Sequence, residues 1–183
     1  SDNGPTYASG ADTKFFDSAQ PFNADYGWGK GFLHEGGIRV PMIASWPNRI
    51  KPQSKTDHIS AFQDIMPTIC DIVRASQPSS TDGISLLPTL LAKDQSKKHD
   101  YLYWEIPEYG GQQAVRIGQY KAIRKNIFKD NMELELYDLD TDIQEMKNVA
   151  GQFPDIVRHV EEVMENEHRP SEIQKFKFTS LGD

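Results

Sequence analysis

Two short stretches of this chain carry side chains that could do chemistry. Asp2 and Asn3, within Ser1-Asp2-Asn3-Gly4-Pro5, place two adjacent side-chain oxygen donors on a turn. Such oxygens suit a hard cation such as Ca²⁺ or Mg²⁺, although Asp-Asn-Gly is equally an ordinary turn sequence. Lys30 stands between Gly29 and Gly31. Glycines there let the backbone pass close to a ligand, and a lysine ammonium is a compact charge with three donors, matched to a tetrahedral anion. The plain alternative is a solvated loop lysine. His34 follows and reads as a pocket-edge residue beside Lys30. Glu35 and Arg39 read as a charge pair holding the turn, and Gly36-Gly37 as backbone that no other residue could supply.

Other chemically suggestive groups have plainer readings. His58, His99, His159 and His168 lie in polar or helical settings without metal-ligand spacing and read as surface. The acidic run from Asp138 to Glu145 lacks the Gly and spacing of an EF-hand loop. Trp104, Glu105, Tyr109, Gln112, Gln113 and Arg116 surround a Gly-rich turn. They read first as a strand pair with core aromatics, and second as the kind of surface that lines a sugar site. The single cysteine, Cys70, excludes an intrachain disulfide.

Composition narrows the partners. A net charge of -7 argues against nucleic acid, whose phosphates need a basic surface. It leaves room for an anionic substrate, because one lysine and one cation act locally. Aromatics at 10% favour a packed core over disorder. No apolar run approaches membrane-spanning length.

The elements that must position these groups change character along the chain. Residues 1–34 read as a long ordered loop, and Ile38 to Trp46 as a buried strand. Ala61 to Val73 has helical spacing, with Asp64 as N-cap and Pro67 in the first turn. Leu86 to Leu91 is a short apolar helical piece. The polar run Lys93 to Asp100 is the best boundary. Beyond it, Tyr101–Trp104, Ala114–Ile117, Tyr120–Arg124 and Leu134–Asp138 read as four short strands, and a last helix starts near Pro154. The expected division is residues 1–95, the end of an α/β domain, and residues 98–183, a small α+β unit.

The residues Ser1-Asp2-Asn3-Gly4, Gly29-Lys30-Gly31 and Glu35-Gly36-Gly37-Ile38-Arg39-Val40-Pro41 resemble the C-terminal part of a sulfatase of the arylsulfatase family. Asp64-Ile65-Met66-Pro67-Thr68, Asp82-Gly83 and Tyr137 to Ala150 continue the resemblance. It implies an alkaline-phosphatase-like α/β fold, followed by a small domain with a four-stranded antiparallel sheet and a helix. It implies sulfate-ester hydrolysis, with Asp2 and Asn3 as metal ligands, usually to Ca²⁺, and Lys30 against the sulfate, with His34 at the pocket edge. It also implies a formylglycine nucleophile, made from Cys or Ser in a (C/S)-x-P-(S/A)-R motif. Ser45-Trp46-Pro47-Asn48-Arg49 imitates that motif but departs from it at Asn48 and lies at the wrong place, in a segment read as buried strand. Cys70 lacks the motif and reads as a core residue of a helix.

These readings leave a chain expected to be inactive alone, because the nucleophile segment is absent from it. An uncovered sheet edge would promote self-association. A sulfated small molecule or glycan is the substrate the resemblance implies; the residues themselves do not give a location, and the resemblance is compatible with a periplasmic or secreted one. The alternatives are a related phosphodiesterase, phosphonate or sulfamate hydrolase, and a non-catalytic remnant acting as a binding module.

Overall fold

The computed structural model describes residues 1–6, 12–23 and 25–183. Tyr7 to Ala11 and Ala24, part of the stretch read as a long loop, lie outside the described residues. The chain divides into two compact units, Ser1–Pro41 with Tyr101–Asp183, and Met42–Asp100.

The first unit is built on a four-stranded antiparallel meander, β1 (Leu102–Ile106), β2 (Gln112–Ile117), β3 (Tyr120–Lys125) and β4 (Leu134–Asp138), in the order β1-β2-β3-β4. Each strand follows an expected one: β4 has the expected bounds, β1 starts one residue later and runs on to Ile106, and β2 and β3 are lengthened by ladder pairs such as Gln112 with Lys125. The side chains alternate across the sheet because the pleat has a period of two. Val115, Ala122 and Leu136 face the terminal helix, here α5 (Pro154–Glu167), and pack with Val160, Val163 and Met164. Pro at the start of α5 costs nothing, because its missing N–H would be unpaired there. Ala114, Ile123 and Tyr137 point to the opposite face and pack with Leu33 and Leu139. That second face is covered by the Gly29–Ile38 segment, which includes the single turn α2 (Glu35–Ile38). A four-residue turn, α1 (Thr13–Phe16), precedes it.

The second unit holds α3 (Ile65–Val73), preceded by a 3₁₀ turn over Phe62–Asp64, and α4 (Leu87–Leu90). Its polar centre is Asp64, which is fully buried. Its carboxylate accepts the N–H groups of Ala61 at 2.8 Å and Ile84 at 2.7 Å, and meets His99 Nε2 at 2.8 Å. Its carbonyl accepts the Thr68 hydroxyl at 2.6 Å, and Thr68 Oγ1 accepts the Leu86 N–H at 2.8 Å. Asp64 therefore bonds backwards and sideways instead of capping α3, and His99, read as surface, is a half-buried partner.

Two further expectations are corrected in this unit. Residues 42–46 form no strand: Ile43 is 94% exposed and Met42 is also exposed. A strand is stabilised by a ladder, and no described strand pairs with this segment. Ser45 is exposed, not buried. The apolar positions of α3 are likewise solvent-facing, with Met66, Ile69 and Val73 all exposed and Cys70 only half-buried. The helical spacing was right, but the face it marks is not covered among the described residues.

Candidate anion and cation site

The turn bearing Asp2 and Asn3 is stapled to the segment bearing Lys30. Gly4 N–H donates to Gly37 O at 2.8 Å, and Lys30 N–H donates to Pro5 O at 2.9 Å. The contact is too close for any side chain. A methyl at Gly4 would lie 1.8 Å from Gly36 O, which explains glycine at that turn position. Asp2 and Lys30 are exposed and Asn3 is half-buried. The two sets of candidate groups thus sit on adjoining backbone, open to solvent.

Asn3 Nδ2 donates to Gly4 O at 2.9 Å. Its Oδ1 and the Asp2 carboxylate are hard oxygen donors, the chemistry that Ca²⁺ or Mg²⁺ takes. Two residues make a fraction of a cation shell, and no group of three or more His, Cys, Asp or Glu able to hold a metal occurs among the described residues. The donors fit a divalent cation as part of a larger set.

Behind Lys30 the segment is held by an ion cluster of which the sequence announces only the Glu35–Arg39 pair. Glu35 is buried, with Lys121 Nζ 2.9 Å from Oε1, and Arg39 and Arg116 at 3.1 Å and 3.5 Å from Oε2. Lys121 is fully buried and reaches Glu145 Oε1 at 3.2 Å on its other side. Glu145 Oε2 accepts the Glu35 N–H at 2.6 Å, which ties the start of α2 to the loop after β4. Burial alone would raise the Glu35 pKa, but Lys121, then Arg116 and Arg39, hold it below the ordinary value. Glu145 goes the other way, because burial outweighs the pull of Lys121. Arg116 and Lys121 are direct cross-strand partners, an arrangement unfavourable for like charges unless an anion lies between them. Glu35 is that anion. Gln112 adds a second tie, donating to Gly31 O at 3.0 Å and accepting the Leu33 N–H at 3.3 Å.

His34 is not at a pocket edge. It is fully buried, its ring centroid 5.0 Å from that of Trp28 and 6.1 Å from that of Tyr137. Neither ring nitrogen makes a hydrogen bond of good geometry. Burial, with Lys121 and Lys125 adding positive charge, lowers its pKa to about 3, so it is a neutral core ring at physiological pH. The apolar neighbours Leu33 and Ile38 are the only signal in the sequence that could have placed it inside.

The sugar-like cluster is mostly consumed by structure. Glu105 accepts from Gln113 Nε2 at 2.9 Å and from the Tyr103 hydroxyl, and meets His168 Nδ1 at 2.8 Å. His168 Nε2 in turn lies 2.6 Å from Asp183 Oδ1. Burial opposes protonation of His168, but the two carboxylates prevail and its pKa is raised. His168, read as surface, is a partly buried junction. Tyr109 alone of this set is exposed, on the loop between β1 and β2. The acidic run after β4 is spent on turns. Asp142 Oδ2 accepts from the Met146 and Lys147 N–H groups at 2.8 Å and 2.7 Å, and Asn148 Oδ1 from those of Leu136 and Ala150 at 3.1 Å and 2.9 Å.

Comparison with known proteins places the chain in a family. Residues 24–170 match the family model described as N-sulphoglucosamine sulphohydrolase, C-terminal. The chain is 35% identical over 152 residues to an uncharacterised sulfatase of Schizosaccharomyces pombe, covering 78% of this chain and 27% of that protein. It is 30% identical over 181 residues to an N-acetylgalactosamine-6-O-sulfatase of Bacteroides thetaiotaomicron, covering 91% and 35%. A solved structure in complex with k-i-k-neocarrahexaose superposes with a TM-score of 0.72 at 25% identity, covering 90% of this chain and 34% of the other. The chain spans about a third or less of the length of these relatives. It belongs to the sulfatase family and corresponds to the C-terminal portion of that fold, small antiparallel sheet and helix included.

Proposed function

We propose that this chain forms one edge of a sulfatase active site that hydrolyses sulfate esters on a glycan. The observation that carries the reading is the pair of backbone hydrogen bonds fastening the Asp2-Asn3 turn to the Lys30 segment. Asp2 and Asn3 would hold a share of a divalent cation, which when bound neutralises sulfate oxygens. Lys30 would place its ammonium against the same anion and favour the charge that builds as the ester bond breaks. A formylglycine nucleophile would come from outside these 183 residues, since neither Ser45 nor Cys70 stands in a matching motif. His34, neutral and buried, supports the backbone of the site and moves no proton. The glycan assignment is supported by relatives named for sulfated amino sugars and by a neighbour solved with D-glucosamine-2-N,6-O-disulfate as its substrate.

The test is Lys30→Ala in an active sulfatase carrying this sequence. We expect kcat/KM for a sulfate ester to fall by roughly 10²-fold or more, the scale seen when one preorganised charge-stabilising group is lost. The fold should survive, because Lys30 is exposed. Unchanged turnover would remove Lys30 from the site.

A further inference from the structure

Tyr109 sits 52% exposed in the loop joining β1 to β2, at φ +53. A bulky residue enters that left-handed region only under constraint. The constraint is visible. Gly111 N–H donates to Glu108 O at 3.1 Å, while Gly110 O and Gly111 O accept the N–H groups of Phe128 and Ile127 at 3.0 Å and 3.2 Å. The ring so aimed lies directly over Gly31, where a methyl would fall 2.2 Å from its Cε2. Phe32 continues the line, its centroid 4.8 Å from that of Tyr109 and 5.5 Å from that of Tyr26. Tyr26 is itself 71% exposed. Three rings thus meet at Phe32, and the outer one, Tyr109, covers the glycine that follows the exposed Lys30. One side of Tyr109 is spent on Gly31 and Phe32, and about half of the residue stays open to solvent.

The rings are not coplanar, Phe32 lying at 45° to Tyr109 and Tyr26 edge-on to Phe32 at 76°, so the flat open surface is Tyr109 and the other two buttress it. We propose that Tyr109, buttressed by Phe32, is a stacking surface for the sugar ring whose sulfate Lys30 holds. A pyranose has an apolar C–H face and a polar rim. Flat against an aromatic ring it buries the first and leaves the second wet, and a tyrosine hydroxyl meets that rim. The sulfate ester would then lie toward Lys30, the chain neighbour of the Gly31 that the ring covers. Such a platform separates a sulfated sugar from bare sulfate, which the cation alone cannot do. The proposal rests on the reading of Lys30 given above.

The ¹⁵N-labelled 183-residue chain is titrated with sodium sulfate, with N-acetylglucosamine-6-O-sulfate and with unsulfated N-acetylglucosamine, and amide and aromatic shifts are followed. Both anions should shift the Lys30 and Gly31 amides, and only the sugars should shift the Tyr109 ring. Tyr109→Ala should weaken the sulfated sugar by about tenfold, equivalent to about 1.4 kcal/mol, and leave sulfate unchanged. Tyr109→Phe should keep most of the affinity. Sugar binding no tighter than sulfate and indifferent to Tyr109→Ala overturns the platform while Lys30 keeps its role. Sugar binding that depends on Tyr109 but ignores Lys30→Ala overturns the Lys30 reading and leaves the rings as a sugar site. No response to any probe, or broadening at the rings that follows protein concentration alone, overturns the proposal.

Discussion

Replacing Lys121 by Met should destabilise the first unit severely, and in a way that depends on pH. The wild-type Nζ lies 2.9 Å from Glu35 and 3.2 Å from Glu145, with all three side chains at or below 3% exposure. Methionine fills similar volume but leaves two buried carboxylates. Glu35 keeps Arg116 and Arg39, whereas Glu145 keeps no cation in contact among the described residues. Breaking a buried pair by removing one partner costs about 3–5 kcal/mol, a large share of the roughly 5–15 kcal/mol that holds a domain together. The sign of the pH effect follows. In the wild type, Glu35 has a lowered pKa, so its stabilisation is present above the unfolded value and is lost as pH falls through the folded one. Glu145 has a raised pKa, so its contribution is present at low pH and is lost as pH rises through the folded value. Without Lys121 both folded pKa values move up, so the deficit should shrink toward acid as Glu145 takes a proton. Urea unfolding at neutral pH and at about pH 5 measures this. Lys121→Met with Glu145→Gln removes the stranded charge and should recover most of the loss, since the amide oxygen can still accept the Glu35 N–H. A loss below about 1 kcal/mol, or one equal at both pH values and untouched by the second substitution, would refute the ion-cluster argument.

Three other outcomes are expected. Gly31→Ala puts a methyl 2.2 Å from the Tyr109 ring at φ +91, and should lower the Tm and shift the Tyr109 ring resonances; an unchanged spectrum would break the link between the two segments. His168, held between Glu105 and Asp183, has a folded pKa above its ordinary value, so its stabilisation is full below the unfolded pKa and is lost as pH rises through the folded one. Amide exchange at Phe178, whose N–H donates to Asp183 at 2.6 Å, should quicken over that rise beyond the intrinsic base-catalysed trend, and His168→Gln should abolish the excess. Calorimetric titration of the chain with Ca²⁺ should give no site tighter than about 1 mM, because two residues leave most of a six- to eight-oxygen shell to water.

Much of the first unit is legible in the sequence, because its physics is local. The four strands are short runs rich in apolar and aromatic residues between turn residues at Gly110-Gly111, Gly118 and Lys129-Asp130-Asn131, and α5 begins at a proline and repeats its apolar positions at helical spacing. The site segment is legible as a pattern of glycines around Lys30. What could not be read depends on partners distant in sequence. Lys121 looks like a solvated strand residue until Glu35 and Glu145 are brought to it from 86 and 24 positions away. His99 and His168 have polar neighbours and look superficial, yet each closes a long-range contact with a carboxylate. The failure at residues 42–46 has the same root. Apolar, β-branched composition states a capacity to pair, and pairing needs a second strand.

The alternation along β2 and β3 also has a consequence for folding errors. Odd and even positions serve opposite faces, so Val115 and Ala122 enter the helix-side core while Arg116 and Lys121 meet Glu35. Slipping either strand by one residue would drive a guanidinium or an ammonium into the hydrocarbon under α5 and present valine or alanine to a buried carboxylate. Misregistered hairpins are thus penalised twice, once on each side of the sheet. The ion cluster works as a proofreading key: it adds modestly to the correct pairing but makes each wrong one untenable. Insertions and deletions should consequently be purged from β2 and β3 among descendants of this sequence, while the turns between strands remain free to change length.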